Sequence, residues 1–126
     1  MDEFDVVDIV FDAVNAAVAG IPIYKDKSEV GVTWEHIVVN HLNLNELDLV
    51  NKISVNVNIF VPLKSNGMYI RQRMKELKRK VRASIDSINS DDGRCKEVKV
   101  LWSEPLPDFK EGFQCINIRL EILIDQ

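Results

Sequence analysis

The hydrophobic period changes in the middle of the chain. Ile53, Val55, Val57, Ile59, Val61 and Leu63 alternate with Ser54, Asn56 and Asn58, and then Ile70, Met74, Leu77, Val81, Ile85 and Ile88 recur at steps of three and four. The first pattern predicts a strand with one apolar face, from about 50 to 63, and the second a helix with one apolar stripe, from about 68 to 88. Ser65, Asn66 and Gly67 supply the turn between them. Two one-sided elements joined this closely bury their apolar sides against each other.

The pattern extends in both directions. Upstream, Phe4, Val7, Phe11, Val14 and Val18 stand at helical spacing over 3–19, with Asp2 placed to cap, Glu3 and Asp5 suited to the positive end of the helix dipole, and Gly20 before Pro22 as the stop. Residues 21–24 read as a short edge strand, since an edge tolerates Pro22. Residues 25–33 are polar, contain Gly31 and read as a loop. From Trp34 to Leu44 a strand is predicted whose consecutive Ile37, Val38 and Val39 call for cover on both faces. Asn43, Asn45, Glu46 and Asp48 then turn it into a long antiparallel hairpin with the strand ending at Leu63.

Downstream, Ser90 to Gly93 form a polar turn, and a strand over 96–102 sends Val98, Val100 and Trp102 to one face. Pro105 and Pro107 break it into a loop carrying Phe109 and Gly112. The last strand, 114–124, sets Ile116, Ile118, Leu120 and Ile122 against Cys115, Asn117, Arg119 and Glu121. The sum is one α+β domain over 1–126 in the order α-β-β-β-α-β-β. One-sided strands predict a mostly antiparallel sheet of four to five strands with two helices packed on one face. The other face presents Ser54, Asn56, Asn58, Asn117, Arg119 and Glu121, either to water or to a polar partner.

Composition narrows the class. A chain of 126 residues buries roughly two thirds of its unfolded surface and needs neither disulfide nor metal to be stable. The acidic residues at positions 2 and 3 argue against a signal peptide, and no apolar run reaches the length of a membrane span, so a reducing cytoplasm is the expected place of folding. Cys95 and Cys115 fall on neighbouring predicted strands, where a bridge is open to them; outside any CxxC, reduced thiols are expected. A net charge of −4 gives no general attraction to nucleic acid or anionic lipid. Its distribution is uneven, because seven of the 16 basic residues lie between Arg71 and Arg82, opposed there only by Glu76.

Arg71, Lys75, Lys78 and Arg82 follow at steps of four, three and four, expected on the face opposite the apolar stripe, with Arg79 beside them. These five are the candidate interface, better suited to an acidic protein surface than to nucleic acid, because no aromatics interleave with them and no glycine-rich loop accompanies them. A small nucleic-acid-binding module built on the same face of helix 68–88 is the alternative. His36 and His41 are five apart on one strand and so face opposite sides, which excludes a metal pair. No HExxH, GxSxG, P-loop or spaced carboxylate set is present, so no catalytic residue, cofactor or metal ligand is nominated and no enzyme is expected. Trp34, Phe60, Trp102 and Phe109 are expected mostly in the core, with interface anchoring as their other use.

The whole-chain order resembles the tail-terminator and tail-completion proteins of long-tailed phages, including the lambda-type minor tail protein that caps the tail tube. The resemblance is carried by the N-terminal helix ending in a small residue, the proline-bearing strand at 21–24, the hairpin over 34–63, the amphipathic helix over 68–88 and the closing strands at 96–102 and 114–124. It rests on element order and length, without a residue motif, and transfers no functional residue. It implies a virion subunit of the tail or neck, made in the bacterial host cytoplasm. Such a subunit forms a ring, hexameric in the family, on the head-proximal end of the tube. Its implied partners are its own copies, the tube and the head-completion proteins, with no membrane and no small-molecule substrate. Loops 25–33 and 103–111 are then the expected contact sites.

Overall fold

The computed structural model describes residues 3–42, 52–88 and 95–124. Seven elements follow in the expected order: α1 (Glu3–Ala17), β1 (Ile23–Lys25), β2 (His36–His41), β3 (Lys52–Pro62), α2 (Arg71–Asp86), β4 (Cys95–Pro105) and β5 (Phe113–Ile124). The strands form one five-stranded sheet in the order β1-β2-β3-β5-β4. Only the β1–β2 pair is parallel; the other three are antiparallel. The class is α+β, with a mostly antiparallel sheet. The expected caps and turns at Asp2, 43–50 and 90–93 lie outside the described residues.

Register explains the layer. β3 pairs with β5 so that Ile53, Val55, Val57 and Ile59 stand opposite Ile122, Leu120, Ile118 and Ile116, while β2 adds Ile37 beside Ile59 and Val39 beside Val57. All these aliphatics therefore project to one side. There they meet Val6, Val10 and Val14 of α1 and Met74, Leu77, Val81 and Ile85 of α2 in a single buried cluster. Pro22 precedes β1, and its carbonyl accepts the Ile37 N–H at 3.0 Å, so the proline occupies the one edge position where it still contributes a sheet bond. Val38, the middle one of the three consecutive aliphatics, is buried on the opposite face with Phe60 and Cys115, which is the two-sided cover its position called for.

Three expectations change. The buried stripe of α1 is Val6, Val7, Val10 and Val14, whereas Phe4 is 59% exposed and Phe11 half-buried. Trp102 does not share a face with Val98 and Val100. A bulge between Val100 and Trp102 leaves Leu101 without a register partner, so Val100 still pairs Leu120 but Trp102 pairs Arg119 on the opposite face. Of the four large aromatics expected mostly in the core, Phe60 alone is buried; Trp34, Trp102 and Phe109 are exposed. A Cys95–Cys115 bridge is ruled out by register, because Cys95 lies opposite Ile124, nine residues or about 30 Å of strand from Cys115. Cys115 is a free, buried thiol whose pKa burial pushes up to about 12.

Leu120 is fully buried at the centre of β5. Replacing it with Ala should cost about 2–5 kcal/mol through lost transfer energy and a residual cavity. Urea denaturation followed by circular dichroism should show this as a lowered midpoint with an unchanged slope.

Candidate functional site

The surface chemistry is divided among the flank of α2, the sheet face without helices, and one end of the molecule. The cation line of α2, expected from spacing on the face opposite the apolar stripe, flanks the stripe instead. Lys78 and Arg82 are half-buried, and Arg71, Lys75 and Lys78 form one wall of a groove whose other lining includes Pro105, Gln114 and Ile116 from β4 and β5. Two other cations of the helix, Arg73 and Lys80, are neutralised. Arg73 grips Glu35 with two nitrogens, Nε donating to Oε2 at 2.9 Å, and reaches Glu76 at 3.0 Å, which also takes Lys80 at 3.4 Å. The Arg73 guanidinium holds the Glu35 carboxyl below the usual range. Among the described residues, no carboxylate comes within 4.0 Å of Arg71, Lys75, Lys78, Arg79 or Arg82. Those five are the residues singled out by sequence. The Nε of Arg82 is buried and has no acceptor among the described residues.

On the sheet face without helices, register aligns Asn56 with Arg119 and Asn58 with Asn117. Asn117 Nδ2 donates to Asn56 Oδ1 at 3.1 Å and Asn58 Oδ1 at 2.7 Å, while its own Oδ1 accepts from Trp102 Nε1 at 2.9 Å. Arg119 donates to Asn56 at 3.0 Å and lies 4.4 Å from the centre of the Trp102 ring. The face expected to meet either water or a polar partner is thus a closed hydrogen-bond ladder under an exposed indole. The three asparagines are buried by their neighbours and by each other.

At one end of the same face the β1–β2 connection and the β4–β5 turn converge. Lys110 Nζ donates to Ser28 Oγ and to His36 Nε2, each at 3.1 Å, and sits 5.2 and 5.0 Å from the ring centres of Phe60 and Phe113. His36 stacks on Phe60 at 4.7 Å, and Phe109 covers Phe60 from outside at 5.9 Å. The His36 Nδ1 donates to the Trp34 carbonyl at 2.9 Å, which assigns the ring proton to Nδ1 and leaves Nε2 to accept from Lys110. Burial, together with the Lys110 charge, holds the His36 pKa below 6.5 against the opposing pull of the Trp34 carbonyl. His41 points to the other side, against Phe4 of α1, as spacing required.

The β3–α2 connection lies at this same end, because Leu63 N–H bonds to the Gly112 carbonyl at 2.9 Å and Gln114 Nε2 to the Ile70 carbonyl at 3.3 Å. Among the described residues, five of the eight exposed large hydrophobics belong to these three connections: Val30, Trp34, Met68, Tyr69 and Phe109. Sequence reasoning placed the loops but not Lys110 or Glu35, whose roles depend on how the loops fold back. Among the described residues no three His, Cys, Asp or Glu side chains converge, and no helix is long and apolar enough to cross a membrane.

Because His36 is held neutral in the fold but takes up a proton near 6.5 when unfolded, stability should be complete above that pH and fall as the pH drops below it. Thermal unfolding between pH 7.5 and 5 should show this decline, and His36→Gln should flatten it. The Glu35 contribution has the same sign but lies below pH 4.5, outside that window.

No family model matches the chain, nor does any curated protein sequence. Among solved structures, 26 chains match it. One of these, a protein without a descriptive name, has a TM-score of 0.57 at 12% identity, covering 98% of this chain and 92% of that one, a likeness of fold alone.

Proposed function

We propose that this chain is a structural assembly subunit of a long-tailed phage or prophage tail, a tail-terminator or completion protein that forms a ring at the head-proximal end of the tail tube. The observation that carries the reading is the concentration of exposed apolar side chains, Trp34, Met68, Tyr69 and Phe109, at the single end where three connections meet. Exposed aromatic residues grouped together at one end of a sheet are usual anchors of a protein interface. The element order, which resembles that of the terminator family, supports the same reading. A terminator needs an axial contact with the tube and lateral contacts with its own copies, and this end suits the axial one. The nucleic-acid alternative has less behind it, since among the described residues Tyr69 is a single exposed aromatic beside the α2 cations, while Trp102 and Phe109 lie on the sheet face away from them.

Light scattering over a wide concentration range, with negative-stain images alone and on purified tail tubes, should show a discrete closed oligomer, expected six-fold, that caps tubes. A strict monomer that also leaves tube ends free would sink the reading. Trp34→Ser and Tyr69→Ser should weaken tube capping about tenfold or more while leaving thermal stability close to that of the parent.

A further inference from the structure

We infer that the groove between α2 and the β4–β5 pair receives the outer flank of helix α1 from a second copy of this chain, head to tail. The inference rests on the ring-forming reading above and assigns the lateral contact. The groove encloses about 490 Å³, with Arg71, Lys75 and Lys78 along one wall and Pro105 and Ile116 among its apolar lining. Those three cations lack a carboxylate within 4.0 Å among the described residues. An occupant must therefore bring carboxylates around an apolar anchor.

The chain carries such a surface at its opposite edge. Phe4, Asp8 and Asp12 follow at steps of four on α1, and Phe4 is 59% exposed with both aspartates exposed. Asp8 binds Lys25 of the edge strand β1 at 2.7 Å, and Lys25 covers Phe11 at 4.7 Å, which fixes this flank at the β1 side of the sheet. The groove lies at the β4–β5 side. With the strand order β1-β2-β3-β5-β4, the two surfaces sit at opposite edges, so one chain cannot join them and a neighbouring copy can. Contact between two different surfaces of identical subunits is heterologous, and with a suitable rotation it closes into a ring. Lys25 already holds Asp8, so of the two aspartates Asp12 is the one without a salt bridge among the described residues, and Phe4 provides the apolar insertion.

Charge reversal on each side tests this, because the two reversed chains should complement. Arg71→Glu with Lys75→Glu and Lys78→Glu makes the groove acidic, and Asp8→Lys with Asp12→Lys makes the helix flank basic. Each variant alone should associate at least about tenfold more weakly than the parent by light scattering, and an equimolar mixture should recover the parental mass as an alternating ring. Phe4→Ser, with its side chain mostly in solvent, should also weaken association about tenfold, which keeps the test open if a reversed chain fails to fold. Folded variants that associate like the parent would overturn this interface and leave the ring reading standing. So would loss of association that the mixture does not restore. A parent chain that stays monomeric even on tubes, or that binds duplex DNA through the same cations as a monomer, would overturn both.

Discussion

The pairing of β3 with β5 governs everything else in the molecule. Eleven residue pairs, from Lys52 with Leu123 to Pro62 with Phe113, run without a register shift. Because side chains alternate at a period of two, this register puts Val55, Val57, Ile59, Ile118, Leu120 and Ile122 on the helix side and Asn56, Asn58 and Asn117 on the other. A slip of one residue would bring asparagines under the helices and valines into the polar ladder. Two independent energies penalise it, loss of apolar burial on one face and unpaired buried amides on the other. The aliphatic core and the asparagine ladder therefore specify the same alignment, and both helices take their positions from it.

What could be read from the chain follows from how unambiguous each period is. β3, β5 and α2 carry one clean pattern each, and their boundaries match to within two or three residues of those the pattern predicts. In α1 two stripes compete, since Val6 and Val10 are as apolar as Phe4 and Phe11. Burial selects the valines, which fit between helix and sheet, and leaves Phe4 outside. Trp102 was illegible for a different reason. The bulge at Leu101 is a backbone event without glycine or proline to announce it, and it reverses the alternation from that point on. The same limit applies to the cation line of α2. Its spacing identifies the five residues, but only the sheet order reveals that their flank faces the β4–β5 side.

The loop end was half legible. Polar composition and prolines located the two connections, and their convergence depends on tertiary contacts such as Lys110 with Ser28 and His36 that no local pattern encodes. His36 illustrates the consequence. By sequence it is an isolated histidine with no ligand partner. In the fold it is the buried centre of an aromatic group, kept neutral first by burial and then by a neighbour that is a lysine and not a carboxylate.

The α2 helix runs against its own electrostatics. Its first turn holds Arg71 and Arg73 and no acidic residue, and Ile70 provides no side-chain cap, so cations meet the positive end of the helix dipole. Arg71, Lys75, Lys78 and Arg82 also repel one another at spacings where like charges cost about 0.2–0.5 kcal/mol per pair. Burial of Met74, Leu77, Val81 and Ile85 offsets this cost and explains why the helix forms. It does not explain why the cations are there in a chain of net charge −4. Glu76 shows that a carboxylate is tolerated on this helix, where it neutralises the side turned toward Glu35. On the other flank Asp86 lines the same recess as Lys75, Lys78, Arg79 and Arg82, but among the described residues no carboxylate lies within 4.0 Å of these cations, and Arg82 buries a donor there without an acceptor among those residues. A local choice that opposes the fold without return inside the chain is where contact with a partner is to be sought. Carboxylates arriving from outside would relieve the repulsion between the cations and meet the exposed start of the helix in one step.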